Sequence, residues 1–139
     1  MKLDVVTQQG AVVRGLDAVE LGLPGVVGQM GILPGHKAMI AGLSIGPMIV
    51  KDPDGVEHWF ALNGGFVEVL GETVRVLSET CERADEIDVA RAQASLAEAQ
   101  QKLETLTPND GEAYQVVLSS IRKQETRLKV ASSLARNHK

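Results

Sequence analysis

Residues 63–77 read Asn63-Gly64-Gly65-Phe66-Val67-Glu68-Val69-Leu70-Gly71-Glu72-Thr73-Val74-Arg75-Val76-Leu77. Val67 and Val69 share one side of a period of two, with Glu68 on the other. Val74 and Val76 repeat the pattern. Successive side chains of a strand point to opposite faces, so both runs read as half-buried strands. Asn63-Gly64-Gly65 and Leu70-Gly71-Glu72 read as turns that bound them, and Asp52-Pro53-Asp54-Gly55 is a similar signal upstream. Many short strands at this spacing predict a β-sandwich or barrel.

Working outward, the pattern changes near Ala84. Thirteen of the 14 glycines and four of the five prolines precede residue 85. Beyond it, Val89, Ala92, Leu96, Ala99, Leu103 and Leu106 recur at alternating spacings of three and four. Tyr114, Val117, Ile121, Gln124, Leu128, Ala131 and Ala135 do the same. Each set is a narrow stripe on one helix face. Thr107-Pro108-Asn109-Asp110-Gly111 separates them, and so short a connection makes the helices antiparallel neighbours. Asp85 is placed to cap the first helix, with Asp88 in its first turn. The expected fold is α+β: a β-sandwich over residues 1–84, then an antiparallel α-helical hairpin over residues 85–139. The hairpin stripes are rich in alanine and interrupted by Gln124. They gain little burial against the entropy of ordering them, so the hairpin should depend on what it packs against. That is the character of a switch.

The chain has 139 residues, 44% of them hydrophobic, and a net charge of −4. A generic nucleic-acid binder is basic, so that class is disfavoured. The single cysteine, Cys81, excludes an internal disulfide framework and a CxxC metal site. Met1-Lys2-Leu3-Asp4 carries no signal-peptide run, and no apolar stretch is long enough for a span. His36, His58 and His138 lack HxxxH spacing, so no zinc site is expected. No Ser/His/Asp constellation or GxSxG elbow is legible, and no catalytic residue is assigned. Cys81 reads as a small buried residue. Gly22, Gly25, Gly28 and Gly31 recur at every third position, but neither a Rossmann nor a Walker pattern follows. That segment reads as a surface loop with tight turns between strands, and His36 as a residue that fixes the loop by a hydrogen bond.

Two clusters are candidates for binding. Asp88 and Arg91, in Ile87-Asp88-Val89-Ala90-Arg91-Ala92, share a helix face. They form either a local ion pair or a ligand site, with Arg91 donating to phosphate and Asp88 accepting from a base or ribose. Residues 122–139 hold six basic residues and one acidic, among them Arg122, Lys123, Arg127, Lys129 and Arg136. Opposite an apolar stripe, that basic face suits an acidic protein surface or a phosphate.

Several strings occur here in a fixed order: Gly31-Ile32-Leu33-Pro34-Gly35-His36, Leu43-Ser44-Ile45-Gly46, Asn63-Gly64-Gly65-Phe66-Val67-Glu68-Val69 and Thr73-Val74-Arg75-Val76-Leu77. Ile87-Asp88-Val89-Ala90-Arg91-Ala92 and a helical hairpin follow. Over nearly the whole chain this resembles the epsilon subunit of the bacterial F-type ATP synthase. The resemblance implies a non-catalytic central-stalk part that couples proton-driven rotation to ATP synthesis. Its sandwich would bind the gamma subunit and touch the c-ring. Its hairpin would change between compact and extended forms, the extended form reaching the catalytic alpha/beta head and restraining ATP hydrolysis. It would be a peripheral membrane protein on the cytoplasmic side of the bacterial inner membrane, with no span of its own and no nucleic acid.

By the same resemblance, Gly28, Gln29, Met30, Gly31 and His36 would lie at the c-ring, although Gln29 stands where the family often has an acidic residue. No cofactor or metal is required. ATP is the candidate regulatory ligand, held by Ile87, Asp88, Arg91, Ala92, Lys123 and Arg127. Lys123 is a departure, a point charge where nucleotide-binding relatives carry the first of two arginines. A competing reading, a ligand-binding sandwich with a helical dimerisation tail, fits poorly with one Trp and one Tyr. A docking subunit instead needs a large apolar or mixed patch on the sandwich.

Overall fold

A computed structural model describes residues 1–137, and side chains to Ala135. The expectations on His138 and on the basic side chains of Arg136 and Lys139 therefore lie outside the described residues. Eight strands come first: β1 (Lys2–Thr7), β2 (Gly10–Asp17), β3 (Glu20–Gly25), β4 (Gly28–Ile32), β5 (Met39–Lys51), β6 (Glu57–Leu70), β7 (Thr73–Leu77) and β8 (Cys81–Arg83). A 3₁₀ turn at Ala84–Glu86 leads to α1 (Val89–Glu104), and another at Pro108–Asp110 to α2 (Glu112–Asn137).

The strands make one sheet in the order β2-β1-β7-β6-β5-β3-β4, with β8 also paired to β6. β5 and β6 run for 13 and 14 residues, well beyond the usual five or so. They stay paired from Met39↔Val69 to Lys51↔Glu57. The start of β6 pairs with β8 and its end with β7, so one strand serves both layers. Leu3 and Val5 from one end of the sheet and Leu21, Leu23 and Ile32 from the other enter the same core. The sheet is folded on itself, and the sandwich expected from the sequence is the one observed. Val67, Val69, Val74 and Val76 all point inward.

The fold in β6 falls at Asn63-Gly64-Gly65. Phe60 and Leu62 are buried before it, Val67 and Val69 after it, so the inward side changes from even to odd residues. Gly64 and Gly65 make the change at φ 73° and 113°. A Cβ on Gly65 would lie 1.8 Å from the Leu77 carbonyl oxygen. The reading of residues 63–65 as a turn between strands is thereby corrected. The glycines bend and re-phase a single strand while β5 stays paired beside it. The other two turns lie where expected. At the β5–β6 turn, Asp52 Oδ1 accepts from the N–H groups of Asp54 and Val56 at 2.9 and 3.0 Å.

Residues 22–31 are not a surface loop either. Pairing from Gly22↔Gly31 to Gly25↔Gly28 makes β3 and β4 a hairpin whose tip is Val26-Val27. Glycines erase the alternation that reveals a strand, because they offer no side chain to alternate. Their role here is close approach: a Cβ on Gly25 would lie 2.6 Å from the Gly28 carbonyl oxygen. His36 does sit in the loop after β4, its Nδ1 donating to the Lys37 carbonyl at 2.9 Å.

Beyond the sandwich, α1 packs on α2, and α2 lies between α1 and the strands β5 and β6. Ala92 and Ala99 of the expected stripe are buried. Asp88, not Asp85, caps α1: its Oδ1 accepts from the Arg91 backbone N–H at 3.1 Å. Asp85 is taken up in the 3₁₀ turn that precedes the cap. Among the described residues, no helix is long and apolar enough to cross a membrane.

Candidate functional site

The two outer faces of the sandwich differ. Over the first half of β6 the outward residues are Trp59 and Ala61, and α2 covers them. Ala61, Ala84 and Val130 form a second apolar cluster, with Trp59, Ile87 and Leu134 at its margin. Just before Val130, Arg127 Nε donates to Glu82 Oε1 on β8 at 2.6 Å, and Arg127 Nη1 donates to Gln124 Oε1 at 3.2 Å. Gln124 is buried, so the residue that interrupts the apolar stripe also braces the arginine. Buried Ser133 is satisfied within its own helix, donating to the Val130 carbonyl. A cavity of about 200 Å³ lies between α2 and the sandwich, with Glu79, Glu82, Lys123 and Arg127 in its wall.

Over the second half of β6 the outward face is bare. Register places Val6 beside Leu77, Leu77 beside Phe66 and Phe66 beside Gly42. Val26, at the hairpin tip, lies over Gly42 and donates its N–H to the Gly42 carbonyl at 3.2 Å. Phe66 is 59% exposed, Val26 66% and Val27 97%. These residues form an apolar row across four strands. The next row holds Asp4, Arg75, Glu68 and Ile40, with Arg75 opposite both carboxylates. A mixed patch of this kind is what a docking subunit requires and what a free monomer rarely shows.

Among the described residues, two ionisable groups are perturbed. The Asp52 carboxyl is held below its ordinary value, chiefly by a hydrogen bond with His58 Nε2 at 3.0 Å. Burial pushes the Cys81 thiol up to about 12, so it is a poor nucleophile. Among the described residues, no group of three or more His, Cys, Asp or Glu side chains is placed to hold a metal ion.

Residues 1–84 match the family described as ATP synthase, Delta/Epsilon chain, beta-sandwich domain. The chain belongs to the ATP synthase epsilon-chain family. It is 38% identical over 136 residues to the ATP synthase epsilon chain of Geotalea uraniireducens (strain Rf4), covering 98% of this chain and 96% of that one. The corresponding chain of Trichlorobacter lovleyi is 39% identical with the same coverage. Among solved structures, a chain of the Euglena gracilis mitochondrial ATP synthase (OSCP/F1/c-ring, rotational state 1) superposes with a TM-score of 0.81. That match has 20% identity and covers 95% of this chain and 81% of that one. A chain of the Tetrahymena thermophila mitochondrial ATP synthase central stalk and c-ring gives 0.56 at 15% identity, covering 96% and 95%. The structural likenesses show the fold, a β-sandwich followed by two helices. The resemblance drawn from the GILPGH and GGFVEV strings is borne out.

The six residues expected at a nucleotide site occupy different surroundings. Asp88 caps α1, Arg91 is exposed, Ala92 is buried, and Ile87 lies at the margin of the second cluster. Lys123 and Arg127 face the sandwich, in the wall of the cavity that holds Glu79 and Glu82. Asp88 takes the backbone N–H of Arg91, which is neither a side-chain ion pair nor a ligand contact. Of the residues expected at the c-ring, Gly28, Gln29 and Gly31 are exposed on β4, a strand at the edge of the sheet, and Met30 and His36 are half-buried. Sequence reasoning missed Glu82, Val130 and the row through Phe66. No local period ties Glu82 to a residue 45 positions away.

Proposed function

We propose that this chain is the non-catalytic central-stalk subunit of an F-type ATP synthase. In this reading the sandwich docks on the gamma subunit, its glycine-rich β4 edge and His36 lie toward the c-ring, and the assembly couples proton-driven rotation to ATP synthesis. The chain is then a peripheral membrane protein on the cytoplasmic side of the inner membrane. The observation that carries the docking is the bare apolar row Val6, Leu77, Phe66 and Val26 on one outer face, while α2 covers the other. Burying such a row on a partner is favourable at about 25 cal/mol per Å². Phe66→Glu combined with Leu77→Glu should abolish co-purification with the gamma subunit while leaving strand circular dichroism unchanged. Retention of the double variant in the complex would refute the docking face.

The hairpin is the regulatory half of the proposal. In its extended form the basic face of α2 meets the catalytic alpha/beta head and restrains ATP hydrolysis. Deletion of residues 85–139 should raise hydrolysis by the assembled complex, and an unchanged rate would remove this role. ATP is the proposed ligand of the compact form, through Arg91, Lys123 and Arg127. Titration of ATP should give weaker binding to Arg91→Ala and to Arg127→Ala than to the wild type. Equal binding, or none, counts against an ATP site.

A further inference from the structure

We infer that Glu82 is an in-chain counter-charge for α2, a latch that holds the hairpin on the sandwich without any ligand and competes with whatever anionic surface receives α2 when it is released. Three observations converge. First, Arg127 and Glu82 form a hydrogen-bonded ion pair between α2 and the strands at 2.6 Å, and both side chains are about one-third exposed. A charge-assisted bond in partial shelter is stronger than a surface pair, yet stays open to exchange with another carboxylate or phosphate. Second, the arginine is aimed. Gln124, buried in the helix pair, holds Arg127 Nη1 at 3.2 Å and turns Nε toward β8. Third, the charge match extends beyond one pair. Residues 79–86 hold Glu79, Glu82, Asp85 and Glu86 against Arg83 alone. That segment flanks the cavity and the 3₁₀ turn on which α2 rests, where Lys123 is the second cation.

The apolar part of the docking is a compact cluster: Val130, with Leu134 at its margin, on Ala61 and Ala84, with Trp59 and Ile87 packed against them. The ion pair adds to this burial, and it is the part of the docking that an outside anion can take over. The same guanidinium cannot serve Glu82 and an outside anion at once, so latching on the sandwich and docking on a partner exclude each other through one side chain. The consequence for hydrolysis rests on the regulatory reading above; the latch itself does not.

The full-length chain supplies its own reporter, since Trp59 is the single tryptophan and lies at the margin of the docking cluster. Glu82→Gln should shift the docking equilibrium toward release by about three- to tenfold. This would be read as a change in Trp59 emission and as faster proteolysis between residues 105 and 111. Sodium chloride should produce the same change in the wild type and little more in the variant. Arg127→Gln should match Glu82→Gln, and the double variant should be no worse than either single one. Circular dichroism of the strands checks that each variant folds. Emission and cleavage in Glu82→Gln that equal the wild type at every salt concentration would overturn the latch, as would additive effects in the double variant. In the assembled complex, Glu82→Gln should lower ATP hydrolysis. If the hairpin is released yet hydrolysis does not move, the latch stands and the inhibitory role fails.

Discussion

The sandwich and the hairpin are stabilised in different ways. In the sandwich, Leu3, Val5, Leu21, Ile32, Phe60, Val67 and Val74 are all fully buried in one continuous core. In the hairpin, the buried residues among those described are Ala92, Ala99, Val130, Gln124 and Ser133. Two of the five are polar, and two of the others are alanines. An interior of large aliphatic groups is costly to open, because every lost contact exposes area to water. A seam of small and polar groups loses little on opening, and its polar members find water instead. On this ground we expect the first half to act as a body and the second as a detachable part. The difference lies in which residues are buried, not in how regular the helices are.

Several experiments would break or sharpen that contrast. The largest effect should come from Gly65→Ala, whose Cβ would lie 1.8 Å from a backbone oxygen at a φ of 113°. It should cost more than about 3 kcal/mol and abolish cooperative thermal unfolding of the strands. A Tm near the wild-type value would mean that the bend in β6 relaxes freely. Next, the Cys81 thiol should react with a disulfide reagent at pH 8 at least about tenfold more slowly in the folded chain than in the unfolded one, because its pKa rises from 9.0 to about 12. Burial favours the protonated form. Its contribution to stability is therefore complete below the unfolded value of 9.0 and lost as pH rises through about 12. Equal reactivity in the two states would show that the β8 edge opens readily.

Val130→Ala should remove about 1–3 kcal/mol from docking. Amide exchange should rise in α1 and α2 and stay unchanged in β1 and β7; protection lost in both halves would mean that they unfold as one unit. Asp88→Ala should cost α1 about 1 kcal/mol through its lost N-cap, visible as fraying of the first turn. The smallest effect is expected from truncation after Ala84. The strands should keep their circular dichroism and shift in Tm by less than about 4 °C. An unfolded fragment would end the division into body and detachable part.

Much of the fold was legible wherever side chains alternate or recur. Val67, Val69, Val74 and Val76 gave the strands, and Ala92 and Ala99 gave the face of α1. Legibility failed where glycine removes the side chain that would carry the pattern. Gly22 to Gly31 read as a loop and is a hairpin, and Gly64-Gly65 read as a turn and is a bend within a strand. It failed again on α2 because a single stripe was assigned to a helix that is sandwiched between two partners. Val130 and Ser133 belong to a second face that a seam at spacings of three and four does not describe. The candidate site was less legible still. Lys123 and Arg127 stand out in the sequence as charged groups, but the partner of Arg127 on β8 is fixed by topology alone.

The unbroken pairing of β5 with β6 has a mechanical consequence. The sheet passes from one layer to the other through twelve pairs of residues in one register, with no loop between them. A push on the Val26-Val27 tip reaches β7 and β1 through paired strands and their peptide hydrogen bonds. It does not have to be transmitted by side chains sliding across the interior. Loaded in shear, such a ladder shares force among many bonds at once, so the block twists as a unit with low compliance. A part built this way should lose little of an applied torque in its own deformation.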